Sequence, residues 1–447
     1  MSIALVALAI YLASVILLIS LLKRPVGETM VVSFLVLCAF AGTQAPALAW
    51  ESLSTSALNP IVFSVIVFVF LGALFERTGI INRQIDILNS LLGRIPGGAG
   101  YVSTISSALF GAVSHGGSAN AAAVGSVTVP WMKRSGYPGH VAATLVAGNS
   151  GIGHVIPPSP SMLLLLGMAA VSPLADIGSV FLPLMVAADW LLLYRLLVTL
   201  FFVRRYKVTA VDRSELLPFR TALRNGYLTL LVFLGILIPL LITIGPVHDY
   251  LQSAIGAGPT KAINIVVWIP ILMLVLTALL GIKNLPHHPR EAARFVADTA
   301  PSFVAVGATV LFAFAASEAF TALGLGDAVE ALLGGLDANP IILLIIVGVV
   351  LVLVAGPLPA AATTATLGSV AFVTLTEAGV GVAAAIAAIL IFVSTEGASP
   401  PAGAPIYIAS GQAKTNPVKT FVPLVALYVV PFIALGVLIG AGILPIA

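Results

Sequence analysis

Apolar stretches of about 20 residues follow one another through almost the whole of this 447-residue chain. A helix needs about 20 apolar residues to cross the hydrocarbon core of a membrane. The stretches cover residues 2–22, 29–49, 59–75, 178–203, 226–245, 263–282, 296–318, 338–355 and 420–445. Only 8% of the residues are charged, whereas soluble domains carry about 25%. The sequence therefore predicts an all-α polytopic membrane protein.

The basic residues fall almost entirely on one side of the predicted membrane. With a periplasmic N-terminus, 18 of the 20 Lys and Arg residues lie in loops of the same side, six of them in 204–225. Such a bias marks the cytoplasmic face. We therefore expect a multi-pass protein of the bacterial inner membrane, in contact with membrane lipids. The net charge of +3 gives no reason to expect a nucleic-acid partner.

One sequence pattern occurs twice. Gly-Ser-Val at 125–127 precedes Pro-Pro at 157–158 by 32 residues. Gly-Ser-Val at 368–370 precedes Pro-Pro at 400–401 by the same 32 residues, and the two copies lie 243 positions apart. A shared offset of this kind indicates an internal repeat.

The charged residues near the two copies differ in sign, as expected if the copies have opposite orientations in the membrane. Segment 76–100 carries three Arg residues, whereas its counterpart 319–343 carries acidic residues and neither Lys nor Arg. Inverted-topology repeats are typical of secondary transporters, which bind their substrate near the membrane midplane at broken helices. The repeat therefore favours a secondary transporter.

Each copy contains two interruptions of an apolar stretch. The break at 114–117 predicts a re-entrant helical hairpin over about 99–134 that enters from the cytoplasm. The break at 356–359 predicts a second hairpin, over about 339–378, that enters from the periplasm. The other interruption in each copy is the Pro-Pro pair, because proline removes a backbone donor and breaks a helix. Irregular backbone at membrane depth lines a cavity or is buried in protein, so the breaks predict the binding site.

Candidate site residues cluster at these breaks. The N-terminus of each second hairpin arm suits a carboxylate, and freed carbonyls with hydroxyls suit sodium. The predicted substrate-binding residues are Ser114, His115, Gly117, Ser118, Asn120, Pro359, Thr363 and Thr364. For His115 and His154 a purely structural role is an equal alternative. Asp189 and Arg195 share one span and are predicted to be structural or to face another subunit. The sequence has no phosphate-binding loop or nucleophile-base set that points to an enzyme, and sodium ions are the only expected cofactors.

The repeat divides the chain into five segments. Residues 1–58 are predicted to be N-terminal scaffold helices and 59–203 the first repeat. Residues 204–295 are predicted to be a cytoplasmic loop with scaffold helices, 296–419 the second repeat, and 420–447 a C-terminal scaffold helix.

Several motifs resemble those of a known family. They are LFERTGIINR at 74–83, FGAVSHGGSANAAAVGSVTVPWMKRSGY at 110–137, GNSGIGHVIPPSPSM at 148–162 and SPPAGAPIYIASGQAK at 399–414. These resemble the large membrane subunit of tripartite ATP-independent periplasmic (TRAP) transporters. The resemblance implies an elevator-type carrier of the ion-transporter superfamily. It also implies sodium-driven import of a small organic anion, a periplasmic substrate-binding protein and a small four-helix membrane subunit.

The resemblance further implies two sodium sites. By motif position, the first site consists of Gly116, Ser118, Gly153, Ile156 and Pro158, and the second of Gly356, Glu396, Ser399 and Ala402. Family members tend to have a small residue where this chain has Glu396. We therefore expect Glu396 either to add a charged ligand to the second site or to allow proton coupling.

Two other interpretations stay open from the sequence. One is a stand-alone organic-anion carrier of the same superfamily, coupled to protons or sodium and independent of a binding protein. The other is a channel, which would pass its substrate without an ion gradient and would not accumulate it. A channel does not require inverted repeats, which favours a carrier.

Overall fold

The computed structural model describes residues 2–112, 116–212, 214, 216–243, 245–256, 264–334 and 339–446. Within these ranges all regular secondary structure is helical. The α-helices are α1 (Ile3–Ile16), α2 (Val26–Cys38), α3 (Ala45–Ala57), α4 (Pro60–Thr78), α5 (Ile80–Leu92), α6 (Gly98–Gly111), α7 (Gly117–Arg134), α8 (Gly139–Asn149), α9 (Pro160–Leu166), α10 (Ile177–Tyr206), α11 (Phe219–Gly226), α12 (Leu234–Thr243), α13 (Pro246–Ile255), α14 (Ile265–Leu280), α15 (Pro289–Ala322), α16 (Leu325–Gly334), α17 (Pro340–Ala355), α18 (Ala360–Glu377), α19 (Val382–Val393), α20 (Ala404–Ala413), α21 (Val418–Leu424) and α22 (Val430–Gly440).

The predicted apolar stretches are mostly helical over their described residues, although the helices in 2–22, 263–282 and 338–355 are shorter than the others. Six helical stretches among the described residues are long and apolar enough to cross a membrane: Val26–Ala57, Pro60–Thr78, Ile177–Tyr206, Phe219–Thr243, Pro289–Ala322 and Val418–Gly440. The first of them is longer than the predicted span 29–49, and it bends at Gly42, where φ is 60°. Glycine adopts this left-handed conformation without steric cost, so hydropathy alone does not reveal the bend.

Helix starts follow local capping rules. Asn59 and Asn339 each accept a hydrogen bond from the backbone N–H two residues further on, at 3.0 and 2.9 Å. In both cases a proline occupies the first helical position, where its missing N–H costs nothing. These caps fix where α4 and α17 begin.

The internal repeat is visible in the helix boundaries. Helix α7 covers 117–134, and α18 covers 360–377, so the two helices are related by the offset of 243 at both ends. The pairs α6 and α17, α8 and α19, and α9 and α20 correspond in the same way within a few residues. Both Pro-Pro peptide bonds, 157–158 and 400–401, are cis. The sequence repeat is therefore a structural repeat.

The two repeats interlock. Helix α6 packs against α7, and α17 packs against α18, so each repeat contains a helical hairpin. Helix α20 of the second repeat packs against α7 and α8 of the first, while α9 of the first packs against α18 and α19 of the second. Each broken helix therefore places its second half on the hairpin of the other repeat.

A second group of helices packs beside this unit, and it includes α4 and α15, which lie at the starts of the two predicted repeat segments. Helix α15 contacts α2, α3 and α4, and α14 contacts α4 and α12. This group meets the repeats where α15 contacts α18 and where α4 contacts α9. Helix α22 packs against α17 and α19. The boundaries of the five predicted segments, including a scaffold role for 420–447, stay predictions.

Candidate functional site

A cavity of about 570 Å³ lies where the two repeats meet. Its lining includes the hairpin turns Gly116–Ala119 and Gly356–Pro359, together with residues of α4, α15 and the second break. The charged side chains among the described lining residues are those of Glu76 and Glu396. The cavity is therefore shared by both repeats and by the neighbouring helix group.

The Glu396 carboxylate connects the two hairpins. Its Oε1 accepts a hydrogen bond from the backbone N–H of Gly117, the first residue of α7, and its Oε2 accepts one from Ala360, the first residue of α18. The N-terminus of a helix presents unpaired N–H groups and a partial positive charge. A buried carboxylate that would be costly elsewhere in a membrane is stabilised here by two such termini.

These donors occupy equivalent positions of the repeat, since Gly117 and Ala360 lie 243 positions apart. The position equivalent to Glu396 in the first repeat is Gly153. A Cβ atom on Gly153 would overlap the backbone of Gly111. The first repeat therefore has no room for a side chain at this point, and only the second repeat supplies a carboxylate.

His154 is hydrogen-bonded on both ring nitrogens. Its Nε2 lies 3.1 Å from Glu396 Oε1, and its Nδ1 lies 2.9 Å from the Ser161 hydroxyl oxygen. The His154 and Glu396 side chains are only 7% and 6% exposed. The histidine thus makes the hydrogen bonds that a structural role predicts, and one partner is the carboxylate at the cavity.

The predicted substrate-binding residues are divided by the structure. Gly117, Ser118 and Pro359 line the cavity. Ser114 and His115 lie outside the described residues, and their role in binding stays a prediction. Three of the six predicted residues that the structure describes therefore line the cavity.

Asn120, Thr363 and Thr364 are buried without lining the cavity. The Asn120 side-chain amide donates to the backbone oxygens of Ser107 and Ser150 at 2.8 and 3.0 Å, which joins α6 to the first break. The Thr364 hydroxyl has no hydrogen-bond partner among the described residues. Their role in binding stays a prediction.

The residues of the predicted second sodium site lie together. Gly356, Glu396 and Ala402 line the cavity. A Cβ atom on Gly356 would lie 3.6 Å from the Ser399 Cβ. A Cβ atom on Gly403 would lie 2.6 Å from the Glu396 backbone oxygen and 3.3 Å from that of Ser399. Unwound backbone carbonyls are what transporters use to coordinate sodium, and sodium binding by these residues stays a prediction.

The predicted first sodium site is divided between two cavities. Gly116 and Ser118 line the large cavity, whereas Ile156 lines a second one of about 350 Å³ between α6, α10 and α12. Gly153 and Pro158 are buried. Among the described residues, no group of three or more His, Cys, Asp or Glu side chains forms a metal cluster.

The sequence reasoning missed part of the site. Glu76, Thr299 and Ser302 line the cavity from α4 and α15. An ionisable residue inside an apolar span indicates function, but Glu76 directly follows the predicted span 59–75 and was not selected by that criterion. The sequence also contains a signal for the contact between His154 and Glu396. The repeat offset of 243 aligns Glu396 with Gly153, the residue directly before His154.

Asp189 and Arg195 do not pair with each other. The Arg195 Nη1 donates to the backbone oxygen of Asn149 at 2.8 Å, and the guanidinium lies 4.7 Å from the centre of the Phe432 ring. Asp189 lines the second cavity. Arg195 therefore supports the C-terminus of α8, where the negative end of the helix dipole favours a cation.

Spanning helices, broken helices and a repeat that meets at a cavity define a multi-pass membrane transporter. Two solved structures share this fold. The Alcanivorax borkumensis YdaH transporter is 16% identical, with 90% of this chain and 89% of that chain covered and a TM-score of 0.64. Neisseria gonorrhoeae MtrF, described as one of a class of antimetabolite efflux pumps, is 14% identical, with 88% and 83% covered and a TM-score of 0.60. At these identities the likeness concerns the fold alone.

The chain belongs to the family of the DctM component of tripartite ATP-independent periplasmic transporters, whose model matches residues 12–443. The C4-dicarboxylate TRAP transporter large permease protein DctM of Pseudomonas aeruginosa is 31% identical over 171 residues, 38% of this chain and 39% of the relative. The isethionate TRAP transporter permease protein DctMQ of Oleidesulfovibrio alaskensis is 33% identical over 134 residues, 30% and 20% of the two. The matched regions thus span less than half of these relatives. The resemblance to TRAP large subunits is confirmed.

Proposed function

We propose that this chain is the solute-translocating subunit of a TRAP-type importer. It moves a small organic acid into the cell by sodium-coupled symport, with the solute delivered by a periplasmic binding protein and with a small four-helix subunit beside it. Family membership supports this proposal. The names of the relatives also support it, because C4-dicarboxylates, isethionate and 2,3-diketo-L-gulonate are all organic acids.

The observation that carries the proposal is the meeting of both repeats at one cavity. The N-termini of α7 and α18 converge on the same point, and the hairpin turns before them line the same cavity. Transporters built from inverted repeats bind their substrate and coupling ions at such a junction. A protein whose helices all crossed the membrane without interruption would have no such junction.

The hairpins have lengths that suit re-entrant elements. Helices α6 and α17 contain 14 and 16 residues. At 1.5 Å per residue they are about 21 and 24 Å long, shorter than the ~30 Å hydrocarbon core. We infer that each hairpin turns back within the membrane.

The packing of the helices supports an elevator movement. The interlocked repeats form one unit, because each broken helix lies on the hairpin of the other repeat. The cavity lies at the border of this unit, since α4 and α15 provide part of its lining. We infer that the interlocked unit moves as one body against the group around α15, and that the cavity moves with it.

The second sodium site is the better supported of the two. The backbone oxygens of Glu396 and Ser399 both lie close to Gly403. Hard cations prefer such oxygen ligands. In this proposal a sodium ion binds there and stabilises the loaded state of the cavity.

Uptake into proteoliposomes tests the proposed function. The chain is reconstituted with its small subunit, and labelled organic acids are supplied with and without the receptor under an inward sodium or proton gradient. Accumulation that needs both the receptor and sodium supports the proposal. Accumulation without a receptor indicates the stand-alone carrier instead. Equilibration without accumulation, whatever the gradient, contradicts symport and indicates a channel.

A further inference from the structure

The groups expected to bind the carboxylate of a substrate are already used by the protein itself. Glu396 accepts hydrogen bonds from the first N–H of α7 and from the first N–H of α18. A solute carboxylate therefore meets a resident carboxylate at the point where the two helix termini converge. Two neighbouring carboxylates repel each other, and the repulsion is strong where water is excluded.

The Glu396 carboxylate can accept a further hydrogen bond from a group in the cavity. An ionised carboxylate offers about four acceptor positions, and among the described residues Glu396 has three hydrogen-bonding partners, Gly117, Ala360 and His154. Glu396 also lines the cavity. A donor on a bound solute therefore has a place to bond, and a charged donor forms the stronger hydrogen bond with a carboxylate.

A second carboxylate faces the same cavity. Glu76 lines it from α4, and its carboxylate makes no hydrogen bond or ion pair with any residue that the structure describes. No Lys, Arg or His is found among the described lining residues. The charged side chains in the described part of the lining are acidic, which suits a positively charged group and disfavours a dianion.

The cavity also offers donors for an acidic group. Ser118 and Ala119 belong to the first turn of α7 and line the cavity, and their backbone N–H groups have no intrahelical acceptor. The hydroxyls of Ser118, Thr299 and Ser302 lie in the same lining. An acid with a single anionic group thus has donors away from Glu396.

We propose that Glu396 is a resident counter-anion that determines specificity, so that the cavity takes a small organic acid that also carries an ammonium group. The ammonium group pairs with Glu396, and the acidic group binds the first turn of α7 and the nearby hydroxyls. This inference rests on the proposed function and narrows its substrate class from organic acids to zwitterions.

Matched pairs of solutes test the inference in the same proteoliposomes. Taurine and isethionate differ by an ammonium in place of a hydroxyl, and aspartate and malate differ in the same way. We expect the amine member of a pair to be bound at least about tenfold more tightly by the chain, since hydrogen bonds between charged groups are stronger than those to a neutral hydroxyl. Preferred accumulation of the hydroxy acids overturns the inference and leaves the proposed function standing. Sodium-driven accumulation of another organic acid but of neither member of any pair overturns the inference alone, whereas no sodium-driven accumulation of any organic acid in the panel overturns both.

Three variants distinguish an effect of the carboxylate charge on specificity from an effect on folding. Glu396→Gln keeps the size and an acceptor for the backbone amides, and is expected to reduce the preference for the amine member to about twofold or less, because the charge-assisted bond is lost. Glu76→Gln reduces the same preference by a smaller factor, because Glu76 is exposed. Glu291→Gln, on the exposed first turn of α15, leaves it unchanged. A preference retained in Glu396→Gln contradicts the inference.

The resident anion itself is tested by chemical rescue. Glu396→Ala leaves two convergent N–H groups without their acceptor, and formate is small enough to fill the vacated place. Formate is expected to raise the thermal unfolding midpoint of Glu396→Ala, whereas an equal concentration of chloride raises it less. Wild type and Glu291→Gln gain nothing from formate beyond the effect of chloride. Equal responses of Glu396→Ala and wild type would show that the two helix termini do not form an anion site.

Discussion

Gly117 and Ala360 lie 243 positions apart, at the same place in the two repeats, and their backbone N–H groups donate to the two oxygens of one carboxylate. That carboxylate belongs to Glu396, and it joins the second arms of both hairpins. A displacement of one hairpin tip without the other breaks a buried, charge-assisted hydrogen bond, which costs about 1.5–3 kcal/mol. The pair therefore favours joint movement of the two hairpins.

The first prediction concerns the space between Gly117 and Glu396. A Cβ atom on Gly117 would lie 2.5 Å from Glu396 Oε1, so Gly117→Ala is expected to lower the free energy of unfolding by about 1–3 kcal/mol, the usual effect of overpacking. In a Glu396→Ala background the same change is expected to be neutral, or stabilising by up to about 1 kcal/mol, because alanine favours helix. A double-mutant cycle from denaturant unfolding in detergent measures the coupling.

The control for this cycle is Gly411, where an added Cβ atom meets nothing within 4 Å. Gly411→Ala is expected to add to Glu396→Ala without coupling, because distant sites are independent. Strict additivity of Gly117→Ala and Glu396→Ala would contradict the contact between them.

The second prediction concerns the close approach of the first break to α6. Gly153→Ala places a methyl group into the backbone of Gly111, and backbone atoms do not yield as a flexible side chain does. We expect a loss of about 3 kcal/mol or more in the free energy of unfolding. Fluorescence-detected size exclusion after mild heating gives the surviving fraction, with Gly411→Ala as the neutral substitution. Survival of Gly153→Ala at wild-type level would exclude this close approach.

The third prediction concerns the unpaired hydroxyl of Thr364. Thr364→Val removes an oxygen that has no described partner, so the free energy of unfolding is expected to change by less than about 1 kcal/mol. If the oxygen serves a solute or a sodium ion, the half-saturating concentration rises about fivefold, the value of one neutral hydrogen bond. Thr376→Val, at the other end of α18, is the matched control. Identical uptake by the two variants would remove Thr364 from the predicted site.

The fourth prediction concerns the imidazole between Ser161 and Glu396. His154→Phe removes a donor from a buried carboxylate, and we expect the free energy of unfolding to fall by about 1–3 kcal/mol. His154→Gln retains an N–H donor and is expected to recover part of this loss. Differential scanning fluorimetry in detergent compares the two. A Phe variant as stable as wild type would show that Glu396 does not depend on His154.

The broad architecture follows from features that a sequence displays directly. Apolar length predicts the helices that are long enough to span, and the Pro-Pro pairs predict both broken helices. The repeat offset read from Gly125 and Gly368 agrees with the boundaries of α7 and α18. Such features depend on local chemistry, so the order of the letters is sufficient to reveal them.

The partners of Glu396 were not predicted because they depend on packing across the repeats. Gly117 and His154 are 279 and 242 residues away from it in the sequence. The predicted role of the helix N-termini in binding a substrate anion stays a prediction, and in the structure these N-termini donate to the Glu396 carboxylate. Side chains from α4, such as Glu76, join the cavity because a neighbouring helix group packs there, which no motif records.

The close approach of Gly153 to Gly111 has a consequence for the evolution of the two repeats. One carboxylate fills the space between two equivalent donors, so a matching carboxylate from the first half would compete for the same place. An ancestral dimer of identical halves would have held two acidic groups at its centre, or none. The two halves of this chain differ here, with a glycine at position 153 and an acid at position 396. The single central charge is thus a property that two unequal halves can have and two identical halves cannot.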